Sequence, residues 1–328
     1  MLKLARTFKL MALGLAMASG LAHAQNAQNA QSYPNRPVKI VVPFAAGGPA
    51  DNYARFMAQR LTDELKQPFV IDNKPGAGSI IGTDFAAKSP ADGYTLLMMS
   101  NTQTVNESLI PKKPFALMKD FVGIAPVNYS NLLLVVHPSV PVKNVSELIA
   151  LAKSKPGKLN FASSGNGTPY HMAGELFKYM AGVDMTHVPY KGSSGARTDI
   201  VGGQVDVMFD AETTMAEFAR NGQVRMLGAT GLARSANLPD VPTVAETVPK
   251  YEATIWLGFM APKGTPADIV TKLNAEMRKI VNNPEVKTAW AKQGAVPMSM
   301  TVAEFEQYLN ADIAKWANIV KVSGAKAD

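Results

Sequence analysis

Residues 38–55, Val-Lys-Ile-Val-Val-Pro-Phe-Ala-Ala-Gly-Gly-Pro-Ala-Asp-Asn-Tyr-Ala-Arg, constrain the fold more than any other stretch of the chain. A β-branched run stops at Pro43, a glycine-rich turn comes next, and Ala54, Met57, Leu61 and Leu65 then recur at helical spacing. Strand, loop and helix in immediate succession are the unit of an α/β sheet. The first turn of a helix leaves N–H groups without acceptors at the positive end of the dipole. A turn containing Gly47 and Gly48 lets an anion come close to them. The same residues also suit a tight βα connection with nothing bound, so this loop gains meaning from a second of its kind.

That second loop is 160–177, Asn-Phe-Ala-Ser-Ser-Gly-Asn-Gly-Thr-Pro-Tyr-His-Met-Ala-Gly-Glu-Leu-Phe. Thr168 is a good N-cap and Pro169 suits the first helical position, so the helix start is well defined. Ser163, Ser164, Gly165 and Gly167 precede it and offer hydroxyls and backbone N–H groups to an anion. A third piece runs from Val188-Pro189-Tyr190-Lys191-Gly192 to a strand ending at Phe209-Asp210. Lys191 at a strand end faces either an anion or solvent, and Asp210 either lines a site or caps the next segment. The loop Ser100-Asn101-Thr102 also ends a strand, where open α/β sheets place ligands. Asn73-Lys74-Pro75-Gly76-Ala77-Gly78 leads on to Gly82, but three residues rather than two separate Gly78 from Gly82, so a dinucleotide fingerprint is excluded.

Taken in order, the pattern predicts strands at 38–42, 69–72, 94–99, 122–127, 132–137, 159–162, 185–189, 205–209, 224–229 and 255–261. Helices are predicted at 52–66, from Gly82 to Lys88, and at 145–153, 170–181, 266–282, 284–293 and 301–322. The segment after Ser100, with Pro111 and Pro114, reads as irregular. Strands alternating with helices imply a mostly parallel sheet. About 300 mature residues exceed what one core usually serves. The expected architecture is therefore two α/β lobes with a discontinuous first lobe: 36–131 and 254–328 form lobe 1, and 132–253 form lobe 2.

The start of the chain gives an address. Lys3, Arg6 and Lys9 precede a short apolar run, Leu10 to Leu21, and Ala22-His23-Ala24 has the form that signal peptidase cuts after. Residues 1–24 read as a signal peptide and 25–35 as a flexible polar leader, which places the mature protein outside the cytoplasm. There is no cysteine, so disulfides and thiolate chemistry are excluded. Of the net +7, three positive charges belong to the signal peptide, leaving +4 on the mature chain. Lys153, Lys155 and Lys158 lack interleaved aromatics, so nucleic acid is not an expected partner.

Enzyme readings find little support. No G-x-S-x-G surrounds any serine, His171 and Glu175 lack the H-E-x-x-H context, and Gly157-Lys158 is followed by Leu159 rather than a hydroxyl. No metal and no cofactor are expected. A secreted hydrolase using Ser164 with His171 is the enzymatic alternative.

Pro43 to Asp51, Asn73 to Gly78, Ala162 to Thr168, Val188 to Gly192 and Gly203 to Asp210 occur together in one order. In that set the chain resembles the extracytoplasmic receptors of the tripartite tricarboxylate transporter family, the Bug receptors, over essentially its whole mature length. The resemblance implies a two-lobe, flytrap-type periplasmic binding protein that closes on a small carboxylate. It implies a lobe-one grip of Phe44, Ala45, Gly47 and Gly48, with Asp51 at the helix start. It implies a lobe-two grip of Ser163, Ser164, Gly165, Gly167 and Thr168. Ser100, Thr102, Tyr190, Lys191 and Asp210 would line the cleft. A monomer delivering its ligand to membrane transporter subunits is the implied partnership, with ligand sensing as the alternative. Ser79 and the Asn101-Thr102-Gln103 loop depart from the family pattern and leave the ligand's identity open.

Overall fold

The computed structural model describes residues 33–327, so the signal peptide read from the sequence lies outside the described residues. Ten strands form one continuous sheet in the order β2-β1-β3-β9-β4-β7-β5-β6, with β8 and β10 both pairing with β4. In chain order the strands are β1 (Val38–Val42), β2 (Phe69–Asn73), β3 (Thr95–Ser100), β4 (Phe121–Val136), β5 (Asn160–Ser163), β6 (Thr186–Pro189), β7 (Val207–Ala211), β8 (Arg225–Ala229), β9 (Thr254–Pro262) and β10 (Ala295–Pro297). The helices are α1 (Pro49–Leu65), α2 (Ile80–Ala87), α3 (Asn101–Leu109), α4 (Leu117–Asp120), α5 (Val145–Ser154), α6 (Pro169–Ala181), α7 (Ser193–Val201), α8 (Glu212–Arg220), α9 (Ala267–Asn282), α10 (Pro284–Ala291) and α11 (Val302–Ser323). Among the described residues no helix is long and apolar enough to cross a membrane.

Side chains alternate across a strand, so an apolar run buried on both faces must feed two cores. That division is visible residue by residue. Ile40, Val42, Leu96, Met98, Leu257 and Phe259 enter one core with Met57 and Leu61 of α1. Their neighbours Val41, Leu97, Met99, Trp256 and Met260 enter another with Phe305 and Leu309 of α11. Farther along the sheet, Leu132, Leu134, Val207 and Phe209 belong to the first core, whereas Leu133, Val135 and Met208 meet Ala196 and Ile200 of α7 and Met215 of α8. The result is a sheet covered by helices on both faces.

Strand β4 joins two sheet halves. Its residues 121–131 pair with β9, and 132–136 pair with β7 and β8. The sequence pattern reads as two strands, 122–127 and 132–137, because the polar Asn128–Asn131 interrupts an otherwise apolar run. Thr230, fully buried, joins the segments that cross: its Oγ1 accepts from Leu132 N–H (2.8 Å) and donates to the Ala253 carbonyl, and its carbonyl accepts from Ala253 N–H (3.1 Å). Outer pairs β1–β2, β1–β3, β5–β6 and β5–β7 are parallel. Pairs involving β4 or β9 are antiparallel, because one strand carries the chain out of the first half and the other brings it back. The expectation of mostly parallel sheets therefore holds for the outer strands and becomes a mixed sheet at the crossing.

Two local expectations are corrected. The segment after Ser100 is a helix, α3, rather than irregular chain. Ser100 Oγ accepts from Thr102 N–H (3.1 Å) and Gln103 Oε1 accepts from Ser100 N–H (2.9 Å), a reciprocal cap whose S-x-x-Q signature is present in the sequence. The leader's end is also packed: Tyr33 is 2% exposed, and its hydroxyl donates to the Gly93 carbonyl at 2.7 Å.

In each half the central parallel strand, β1 or β5, is flanked on either side by strands reached in opposite directions. A crevice opens at such switch points, beyond the strand C-termini. The loops β1–α1 and β5–α6 both start there.

Candidate functional site

The loop after β1 is built by its own residues. Gly47 adopts φ +79, Gly48 occupies the N-cap of α1 with no side-chain cap, and Pro49 opens the helix. The helix thus begins three residues before the expected Asn52, and Asp51 lies within its first turn. Asp51 is 2% exposed and is consumed by the loop: Oδ2 accepts from Gly47 N–H (2.9 Å) and Arg55 Nε (2.9 Å), and Oδ1 from Asn73 Nδ2 (2.9 Å). Burial pushes its pKa up, but the bonds from Arg55, Gly47 and Asn73 outweigh this and hold the carboxyl below its usual range.

The loop after β5 is equally self-contained. Ser163 Oγ accepts from Gly165 N–H (3.1 Å) and lies 2.6 Å from His187 Nε2. Thr168 caps α6, accepting from His171 N–H (3.4 Å), and donates to the Gly165 carbonyl at 2.7 Å. Gly167 N–H donates to His171 Nδ1 (3.1 Å), which requires an unprotonated ring nitrogen. Burial, then His187 stacked 4.1 Å away and Lys178, push the His171 pKa down to about 3. His171 is therefore committed to the loop backbone and makes no bond to Ser164.

The third loop reaches across. The Lys191 carbonyl accepts from Ala45 N–H (3.4 Å) in the opposite half, and Gly192 is the N-cap of α7, again with no side-chain cap. Arg197, one turn on, donates from Nη2 to Ser193 Oγ (3.0 Å) and to the Gly47 carbonyl (3.0 Å) across the gap. Its Nε lies 3.0 Å from Asp210 Oδ2. Asp210 is fully buried, and that burial pushes its pKa up to about 6 against the pull of Arg197 and the Ala211 N–H. Tyr190 donates its hydroxyl to Asp199 Oδ2 at 2.5 Å.

These loops enclose a narrow cavity of about 20 Å³. One half contributes Phe44, Ala45, Gly48, Pro49, Ala50, Ser100, Thr102, Ile255 and Leu257. The other contributes Ser164, Pro169, Tyr170, Gly192 and Ser193. Four helices, α1, α3, α6 and α7, start on this wall, and no ionisable acid or base is part of it except the buried Tyr170 phenol. Positive helix ends converge on a wall that itself carries no carboxylate, since Asp51 in the first turn of α1 is turned to Gly47 N–H and Arg55, an arrangement suited to an anion.

Of the residues expected at the site, Phe44, Ala45, Gly48, Ser100, Thr102 and Ser164 line the cavity. Gly47, Asp51, Ser163, Gly165, Gly167, Thr168, Tyr190, Lys191 and Asp210 lie behind that lining, in the loops that shape it. Gly47, Gly165 and Gly167 already give their N–H groups to Asp51, Ser163 and His171. Gly165 makes room for the Tyr190 carbonyl in its own half, 2.8 Å from where a Cβ would lie, rather than for a ligand. The cavity wall also includes Pro49, Ala50, Pro169, Tyr170, Gly192, Ser193, Ile255 and Leu257, which the sequence reading does not name. Ser193 was recoverable as the first residue after a glycine at a strand-to-helix turn. Ile255 and Leu257 carry no local signal, because they sit in a buried run whose cavity-facing parity depends on pairing with β4.

Comparison with known proteins gives the same picture. Residues 53–325 match the model of the tripartite tricarboxylate transporter family receptor. The chain is 38% identical over 298 residues to protein BugT of Bordetella pertussis, covering 90% of this chain and 91% of that protein. Among solved structures it resembles R. palustris Rpa4515 with adipate (TM-score 0.87, 34% identity, 90% of this chain and 99% of that one). It also resembles MatC (Rpa3494) from Rhodopseudomonas palustris with bound malate (TM-score 0.84, 32% identity, 88% and 100%). With two α/β halves that meet around one cavity, and a family match over most of its length, the chain belongs to the receptors of the tripartite tricarboxylate transporter family.

Proposed function

We propose that this protein captures the carboxylate group of a small organic acid between its two halves and delivers the acid to a membrane carrier of the tripartite tricarboxylate type. The observation that carries this reading is the opposition of two uncapped helix starts. A Cβ at Gly48, the N-cap of α1, would lie 3.2 Å from Ser193 Oγ at the start of α7. Each half then supplies part of one set of backbone donors, so a carboxylate favours the closed arrangement over any open one. Backbone N–H groups form charge-assisted bonds without a buried arginine. The relatives that hold adipate and malate agree with this choice of ligand chemistry.

Closure would hinge where the chain crosses, at 131–132 and 253–254, with 36–131 plus 254–328 and 132–253 as the moving lobes. Cleavage after Ala24 would release the receptor into the periplasm. The test is thermal unfolding of residues 25–328 with mono-, di- and tricarboxylates, aromatic acids and acidic amino acids, followed by calorimetry. A ligand at 100 times its Kd adds about 2.7 kcal/mol of stability. A response confined to uncharged solutes would refute capture through the carboxylate.

A further inference from the structure

We propose that Arg197 is a positioning residue for the ligand: it holds the starts of α1 and α7 against each other in the closed arrangement, although it is not itself part of the cavity wall. The proposal rests on the carboxylate-capture reading and deepens it. One nitrogen makes both contacts. Arg197 Nη2 donates to Ser193 Oγ, on the first residue of α7, and to the carbonyl of Gly47, the residue before the N-cap of α1, each at 3.0 Å. That nitrogen carries two protons, so one bond stays within its own half and the other crosses to the opposite half. The neighbouring bond that also crosses, from Ala45 N–H to the Lys191 carbonyl, is longer at 3.4 Å.

Burial and charge strengthen this bridge. Arg197 is 8% exposed, and its ion pair with the fully buried Asp210 lies within its own half, so the guanidinium is aimed before the halves meet. A charged donor shielded from water binds a carbonyl more strongly than a neutral donor in solvent. Ser193 extends the bridge to the ligand. Its hydroxyl accepts from Arg197 and donates to nothing among the described residues, and Ser193 lines the cavity, so its proton is open to a bound carboxylate. A Cβ at Gly48 would lie 3.2 Å from the same Oγ, which places the bridge beside the two uncapped helix starts. With the halves apart, Arg197 keeps Asp210 and Ser193 and gives up only the Gly47 carbonyl. Its contribution therefore falls on the closed, ligand-bound form and slows release.

The experiment compares residues 25–328 of the wild type and of Arg197→Lys, by calorimetry and stopped-flow binding, with the tightest carboxylate from the panel above. Lysine keeps a cation beside Asp210 but lacks the planar fork that reaches Ser193 and Gly47 together. The expected result is an affinity loss of about tenfold or more, carried by faster dissociation, with association within about threefold of the wild type. Arg197→Met combined with Asp210→Asn removes both buried charges at once, and it gives the same result if the lysine variant does not fold. A folded variant that binds as tightly as the wild type, or that loses affinity through slower association alone, overturns the proposal and leaves carboxylate capture standing. A wild type that binds no acid of the panel overturns both.

Discussion

Replacing Gly78 with alanine should weaken ligand binding far more than it weakens the fold. Gly78 adopts φ +58 in the turn between β2 and α2, and a Cβ there would lie 2.5 Å from the backbone oxygen of Asn166 in the opposite half. Gly182, at φ +62 after α6, is the control, since a Cβ there meets nothing within 4 Å. Both substitutions carry the left-handed penalty of about 1–2 kcal/mol, which burdens open and closed forms alike. Only Gly78→Ala adds a clash, and the two loops must part by roughly 1 Å to reach van der Waals separation. Overpacking of that order costs about 1–3 kcal/mol. Because Asn166 belongs to the other half, the cost falls on the closed arrangement alone, and affinity drops about 5–150-fold. Calorimetry with the tightest carboxylate from the panel, set beside urea unfolding of both variants without ligand, reads the two effects separately. Equal affinity losses in Gly78→Ala and Gly182→Ala would refute the closed-state argument.

Three further outcomes are expected from the same geometry. Gly48→Ser supplies the side-chain cap that α1 lacks at an N-cap whose φ of −86° accepts any residue, so stability rises by a few tenths of a kcal/mol while affinity falls; a gain in both would dissociate the α1 start from binding. Arg197→Ala leaves the Asp210 carboxylate buried without its partner and lowers stability by about 3–5 kcal/mol in urea unfolding at pH 8, and a loss below about 1 kcal/mol would mean that the pair is not buried in solution. His171 has its pKa depressed in the folded protein, so its contribution is full above pH 6.5 and is lost as pH falls toward 3. Between pH 8 and 5.5 that loss is about 1.4 kcal/mol, and His171→Gln should remove it from the pH dependence of unfolding; an unchanged dependence would place the titration elsewhere.

Much of the fold was legible because its signals are local. The β-branched run at Val38–Val42, the Thr168-Pro169 start of α6 and the terminal helices declare themselves within a few residues of sequence. Helix α3 was legible too, through Ser100 and Gln103, but the prolines at 111 and 114 drew the reading toward irregular chain. The union of two apolar stretches into β4 was not legible, since a polar patch at Asn128–Asn131 resembles a turn until a partner strand satisfies its backbone.

The candidate site divides in the same way. Local sequence is enough to establish that glycine-rich loops precede helices at strand ends, that no cysteine chemistry is available, and that an anion suits such loops. Which donors remain open was settled by how side chains two to four residues away turn back onto the loops. Gly47, Gly165 and Gly167 look alike in sequence to Gly48 and Gly192, yet Asp51, Ser163 and His171 take up the first three N–H groups. A hydrogen-bond donor can be spent once, and whether it is spent depends on side chains that folding brings to it. Ile255 and Leu257, anonymous in an apolar run, become cavity wall through their register against β4, where they pair with Ser130 and Asn128.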